Sequence, residues 1–145
     1  DYPTRVEERE ILERMTGLRT PSVESVAGAA DIMRARNAVT QVYVDERVKD
    51  YVVSLVHASR RPAEYKLDIG PLVQYGASPR ATIYLLMAAR AHAFIRGRGY
   101  VTPEDVKAIG PDVLRHRVIL TYEAEAEEVT PEEIVRRIFD AVEVP

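Results

Sequence analysis

The chain has 145 residues, 46% of them hydrophobic and 30% charged, a formal net charge of −3 at pH 7 and no cysteine. That length suits one domain able to bury about two-thirds of the surface of its unfolded form, and the balance of charge lacks the basic signature of a bulk nucleic-acid binder. Without cysteine there is no disulfide framework, no thiol nucleophile and no cysteine zinc site, a usage compatible with the cytoplasm, where the protein is expected to reside.

Helical signals dominate from the start. Thr4 with Glu7 forms a capping box, and Val6, Ile11, Leu12 and Met15 give an apolar stripe that ends at Gly17. Thr20-Pro21-Ser22 is expected to turn, and a second helix is expected over 27–38 with Ile32 and Met33 facing inward. Asp45 is positioned to cap a third helix, in which Val48, Tyr51, Val52, Leu55 and Val56 follow helical spacing until Arg61-Pro62. Residues 62–77 carry Pro62, Gly70, Pro71 and Gly76 with little periodicity, and an irregular stretch of that length inside a domain is more often functional or disordered than idle. The longest helix is expected from Pro79 to about Arg96, apolar nearly all round and therefore central. Gly97-Arg98-Gly99 closes it.

A further helix is expected from Pro103, interrupted at Gly110-Pro111 and resuming to Arg117, and a last one from Pro131 to about Val142 that buries Ile134, Val135, Ile138 and Phe139. Two short β-like runs, 42–44 and 118–120, are expected to pair. The segment from Glu123 to Glu133 holds six glutamates and no base, the pattern of a solvated face. The expected fold class is mainly α: a small helical bundle with at most a short two-stranded β ribbon. No stretch is long and apolar enough to cross a bilayer, so no membrane insertion is expected.

Much familiar chemistry is missing. There is no Gly-x-x-x-x-Gly-Lys-Ser/Thr loop, and Gly97-Arg98-Gly99 lacks the third glycine of a dinucleotide fingerprint. His57, His92 and His116 have no ligand spacing, so no metal site is expected. Val42-Tyr43-Val44-Asp45-Glu46 imitates the strand-end acidic pair of nucleotide hydrolases, but without a phosphate loop Asp45 is better read as a helix cap. Arg90, inside the apolar helix, is expected to pair with a carboxylate, and His92 to pack.

One helix start is unlike its neighbours. Thr102-Pro103-Glu104-Asp105 and Thr130-Pro131-Glu132-Glu133 place carboxylates in the first turn, where the helix dipole favours them. Ser78-Pro79-Arg80-Ala81 places an arginine there, which costs about 0.3–1 kcal/mol when no anion is present. A phosphate in front of that helix would meet the dipole, free N–H groups and a planar guanidinium together. An ion pair between Arg80 and a surface carboxylate is the alternative on these residues alone.

Gly76-Ala77-Ser78-Pro79-Arg80-Ala81 resembles the sensor-2 motif of MoxR-type AAA+ ATPases. Tyr2-Pro3-Thr4-Arg5, Val42-Tyr43-Val44, Gly97-Arg98-Gly99-Tyr100-Val101-Thr102-Pro103-Glu104-Asp105-Val106 and Leu114-Arg115-His116-Arg117 are similar to that family in the same order. The resemblance implies that residues 1–17 are the end of the AAA+ core with its connection, and that 18–145 are the C-terminal helical lid. It implies that Arg80, with Ser78 and Pro79, reaches the γ-phosphate of ATP held with Mg2+ in a longer parent protein, either its own or a neighbouring subunit's. A chain starting at Asp1 without methionine is expected to be a piece of that parent, without ATPase activity of its own.

The parent is expected to form a ring, hexameric in the family, and to remodel client proteins in a chaperone-like way. Its expected partners are the AAA+ core, neighbouring subunits and von Willebrand factor A domain proteins, and not nucleic acid. Arg115, His116 and Arg117 are a candidate interface to the core or an adjoining subunit, with cations matched to a helix C-terminus as the plainer alternative. The competing classes are a stand-alone helical adaptor and the lid of a related AAA+ branch such as magnesium chelatase.

Overall fold

A computed structural model describes residues 2–17 and 22–145. The chain divides into two compact units, residues 1–33 and 34–145. In the first, helix α1 (Arg5–Thr16) opens with the expected capping box: the Glu7 carboxylate accepts from the Thr4 N–H at 2.8 Å, and the Thr4 hydroxyl accepts from the Glu7 N–H. Val6, Ile11, Leu12 and Met15 are all exposed on it. Thr20 and Pro21 of the expected turn, and the residue-18 domain boundary, lie outside the described residues. Helix α2 (Ala29–Thr40) begins where the Gly28 N–H donates to Asp31 at 2.8 Å. Ile32 and Met33 do not face inward as expected; they are 55% and 54% exposed. At helical spacing their neighbours are Ala35, Arg36 and Asn37, so the apolar stripe stops after one turn.

The second unit carries the core. Asp45 caps α3 (Glu46–Ala58) by accepting from the Arg47 N–H at 2.9 Å, and the helix buries Val48, Tyr51, Val52, Leu55, Val56 and Ala58. Two 3-10 turns, Pro62–Tyr65 and Gly70–Leu72, give the irregular stretch its shape, and strand β1 (Val73–Tyr75) follows. Helix α4 (Pro79–Ile95) packs along α5 (Pro103–Leu114) and against α3; α5 also meets α7 (Pro131–Ala141). Strand β2 (Ile119–Leu120) pairs antiparallel with β1, Val73 opposite Leu120 and Tyr75 opposite Ile119, with a register shift between them. A short helix α6 (Tyr122–Ala126), capped by the Thr121 hydroxyl, occupies part of the glutamate-rich stretch and buries Ala124.

Four expectations are corrected. Residues 42–44 do not pair with 118–120: Tyr43 forms a lone parallel bridge with Tyr100, through Tyr43 N–H to Gly99 O and Val101 N–H to Tyr43 O, both 2.9 Å. The partner of 118–120 is β1, which a three-residue strand with a polar centre does not announce. Helix α5 is not interrupted at Gly110-Pro111; it runs through Pro111 and stops at Leu114. The cause is tertiary. A Cβ on Gly110 would lie 2.2 Å from Phe139 Cζ, so the bare backbone of α5 lies against α7 and packing outweighs the local breaker. Third, α4 is not central. It buries one line, Ala81, Leu85, Ala89 and Ala93, each 0% exposed, while Ile83, Tyr84, Met87, Phe94 and Ile95 stay exposed. Small alanines four apart let α3 and α5 approach that single face, leaving the other uncovered. Last, Phe139 is partly rather than fully buried, packed against the core through the Gly110 contact.

Candidate functional site at the start of helix α4

The Arg80 end of α4 is built from three pieces: the end of α3, the last residues of the irregular stretch, and the helix start itself. Ser59, 3% exposed at the C-terminus of α3, donates to Val56 O at 2.7 Å and accepts from the Ala77 N–H at 2.9 Å. Gly76 lies flat on Ser59: a Cβ there would come within 2.3 Å of the Ser59 carbonyl oxygen. The Ala81 N–H then donates to Ser78 O at 2.8 Å, closing the first turn.

Ser78 occupies the N-cap position with extended backbone (φ −71°, ψ 165°), but its hydroxyl makes no capping bond. This departs from the expected Ser78 cap. Thr4, Asp45, Thr121 and Thr130 all commit their side chains to the helices they start. Ser78, Pro79 and Arg80 are all exposed. Among the described residues Arg80 has no ion pair or hydrogen bond, so the surface-carboxylate alternative finds no carboxylate here. In helical projection Arg80 falls on the face that exposes Ile83, Tyr84, Met87 and Phe94. The site therefore presents an uncommitted guanidinium, an uncommitted hydroxyl and the free N–H groups of a long helix, set beside apolar surface.

At the other end of α4 lies a polar knot whose shape the sequence does not announce. Asp105, in the first turn of α5, is fully buried. Arg98 grips it with both terminal nitrogens, Nη1 to Oδ2 at 2.7 Å and Nη2 to Oδ1 at 2.5 Å. The Thr102 N–H donates to Oδ2 at 2.8 Å, and His92 Nδ1 lies 2.7 Å from Oδ1. Burial alone would raise the carboxyl's pKa, but the Arg98 fork, then the Thr102 N–H and His92, hold it well below the usual carboxylate range. The available signal was the Thr102-x-x-Asp105 spacing of a capping box; nothing local told of Arg98 and His92 closing over it. His92 thus pairs with Asp105 rather than simply packing. Arg90, expected to pair with a carboxylate, does not do so among the described residues: its Nε is buried with no hydrogen-bond partner, and Leu86, Met87, Ala93 and Phe94 at helical spacing are all apolar.

Of the basic triplet, Arg117 reaches α4 at Tyr84, one turn beyond Arg80, and its guanidinium also touches the His116 ring. Arg115 is 2.6 Å from Asp112 and 3.7 Å from Glu132, Arg117 donates to Val113 O at 2.5 Å and lies over the Tyr84 ring at 5.3 Å, and His116 is exposed. Two of the three therefore tie α5 to α7 and α4, as cations near a helix C-terminus do. Among the described residues no group of three or more His, Asp or Glu side chains could hold a metal ion, and no helix is long and apolar enough to cross a membrane.

The family model for the AAA lid domain matches residues 66–138, a span that includes Arg80 and the Asp105 knot's acceptor. The chain is 41% identical over 145 residues to Chaperone MoxR1 of Mycobacterium tuberculosis, covering 99% of this chain and 38% of that protein. It is 33% identical over 133 residues to Protein MoxR of Methylorubrum extorquens, covering 84% of this chain and 38% of that protein. A solved structure of a presumed ATPase from Cytophaga hutchinsonii superposes with a TM-score of 0.94 at 37% identity, covering 100% of this chain and 44% of the other. The chain spans about two-fifths of the length of these curated relatives. With that fold and those relatives, the chain belongs to the AAA lid domain family, in the company of the MoxR-type proteins.

Proposed function

We propose that this chain serves as the lid of a MoxR-type AAA+ ATPase and that Arg80 is its sensor-2 arginine, reaching the γ-phosphate of bound ATP. The observation that carries the proposal is the state of Arg80: exposed, without a partner among the described residues, and one residue inside a helix start whose cap hydroxyl is also uncommitted. These donors suit phosphate oxygens. The guanidinium would act on the charge of the transferring phosphoryl group, where preorganised donors lower the barrier most. ATP and Mg2+ would be held by the nucleotide-binding part of the full-length protein, and this chain would contribute the arginine and the dipole of α4.

The exposed apolar face of α4 gives the same site a mechanical role. Ile83, Met87 and Phe94 flank Arg80 in helical projection, which supports a reading in which one surface would both lie against the nucleotide-binding part and carry the phosphate sensor. Engagement of phosphate by Arg80 would favour the closed position of that face, and loss of the γ-phosphate would release it. Repeated around a ring of subunits, the motion would drive chaperone-like remodelling of client proteins.

The test is ATP turnover and ATP affinity of the full-length polypeptide carrying this domain, wild type against Arg80→Ala. A fall in kcat of about 100-fold with at most a few-fold change in affinity is expected for loss of a donor used mainly in the transition state. Unchanged kcat and affinity would refute the sensor role.

A further inference from the structure

We propose that Ser59 is the positioning residue of the Arg80 site: it sets the aim of Arg80 from the end of α3, through the Ala77 amide. The proposal rests on the sensor role of Arg80. The serine hydroxyl has one hydrogen to give, and Val56 O takes it at 2.7 Å. That bond turns the oxygen lone pairs toward the Ala77 N–H, which donates from 2.9 Å. Both partners are deep in the fold, Ser59 being 3% and Ala77 0% exposed, so water offers the amide little substitute.

The adjoining residue is fixed independently. Carried on Gly76, a Cβ would stand 2.3 Å from Ser59 O, 2.6 Å from Ser59 C and 2.8 Å from Arg60 Cγ. The peptides at 76 and 59 therefore touch with no slack, and only glycine fits. A hydrogen bond at 77 and a backbone contact at 76 fix two consecutive residues, which sets the direction in which the chain enters Ser78 and the azimuth of α4's first turn. The platform is rigid, since Leu55, Val56 and Ala58 of α3 are each 0% exposed. Arg80 lies three residues beyond the clamp and, among the described residues, has no bond of its own to hold it. A displacement of about 1 Å at such a group can cost about 100-fold in rate, so a fixed starting point matters more here than elsewhere on the surface.

The experiment is a double-mutant cycle on ATP turnover in the full-length protein: wild type, Ser59→Ala, Arg80→Ala and the pair, with a thermal melt of each. A positioning role predicts that Ser59→Ala lowers kcat by about 3- to 10-fold with KM within twofold, and lowers it no further once Arg80 is absent. Equal losses in both backgrounds would mean that Ser59 merely holds the fold together, and would overturn the proposal. Full activity of Ser59→Ala alongside a crippled Arg80→Ala would also overturn it, leaving the sensor role standing. If neither variant loses activity, the sensor role itself fails and this proposal with it. Should Ser59→Ala not fold at the assay temperature, Ser59→Cys keeps the side chain's shape while weakening both bonds, and the same cycle is read with it.

Discussion

The Asp105 knot offers the most quantitative test of how this fold is held. Replacing Asp105 with asparagine preserves shape and removes the charge. In wild type Oδ1 faces Arg98 Nη2 and His92 Nδ1, while Oδ2 faces Arg98 Nη1, the Thr102 N–H and the Thr102 hydroxyl. An amide nitrogen at the Oδ2 position would oppose two obligatory donors, so asparagine must turn its nitrogen to the Oδ1 side. There His92 can accept from it, but half of the Arg98 fork is lost. Breaking a fully buried ion pair costs about 3–5 kcal/mol; with the Arg98 side chain 29% exposed, water screens part of that, and about 2–3 kcal/mol is expected.

Urea unfolding followed by circular dichroism measures it. With a slope of about 2 kcal/mol per molar, the midpoint should fall by about 1–1.5 M. The same pair of proteins should show a pH signature. Because the folded-state pKa of Asp105 is depressed, its contribution is complete above about pH 5 and is lost as the pH falls through the ordinary carboxylate range and below. The gap between wild type and Asp105→Asn should therefore narrow between about pH 5 and pH 2. A midpoint shift equivalent to less than about 0.5 kcal/mol, or a gap that does not narrow in acid, would refute the account of Asp105 as a buried, paired anion.

Two further outcomes follow from packing. Gly110→Ala should be destabilising by about 1–3 kcal/mol despite the better helix propensity of alanine, because the new methyl meets the Phe139 ring; adding Phe139→Leu should recover part of the loss in the same unfolding assay. Met87→Glu, on a side chain 56% exposed, should leave the melting temperature of this chain within about 2 °C of wild type while lowering ATP turnover in the full-length protein, if that face lies against the nucleotide-binding part.

Most helices were legible because their starts are written in side chains. Thr4, Asp45 and Thr130 bond their own first turns, and such local chemistry survives any tertiary setting, whereas the short α6 behind Thr121 went unread among the glutamates. The six core positions of α3 repeat at helical spacing, and the structure buries the five that the spacing singles out together with Ala58. What was not legible depends on partners distant in sequence. Gly110-Pro111 reads as a break until Phe139 is known to lie against it. Val73–Tyr75 gains its strand character only from residues 119–120. Of the Arg80 region, the unusual cation was visible from Ser78-Pro79-Arg80, whereas Ser59 was not, since a serine after an apolar helix carries no signal that its hydroxyl will serve a residue 18 positions on. The burial of Asp105 was hidden for the same reason: Arg98 and His92 come from the preceding loop and helix.

The clamp on α4 also bears on the order in which the molecule assembles. Helices α4 and α5 are adjacent in the chain, joined by a short loop, and share the most extensive packing in the fold, so their association closes only a small loop and can come early. The start of α4 is different. Its approach is fixed by Ser59 across 18 residues, by the pairing of Val73 with Leu120, and by the Thr121 hydroxyl on Pro71 O across 50 residues. Each of these requires a longer closure than the α4–α5 hairpin. The bundle can therefore be helical and largely packed before Arg80 has its final direction, and a chain arrested at that stage would pass for native by its helix content while the start of α4 still pointed elsewhere.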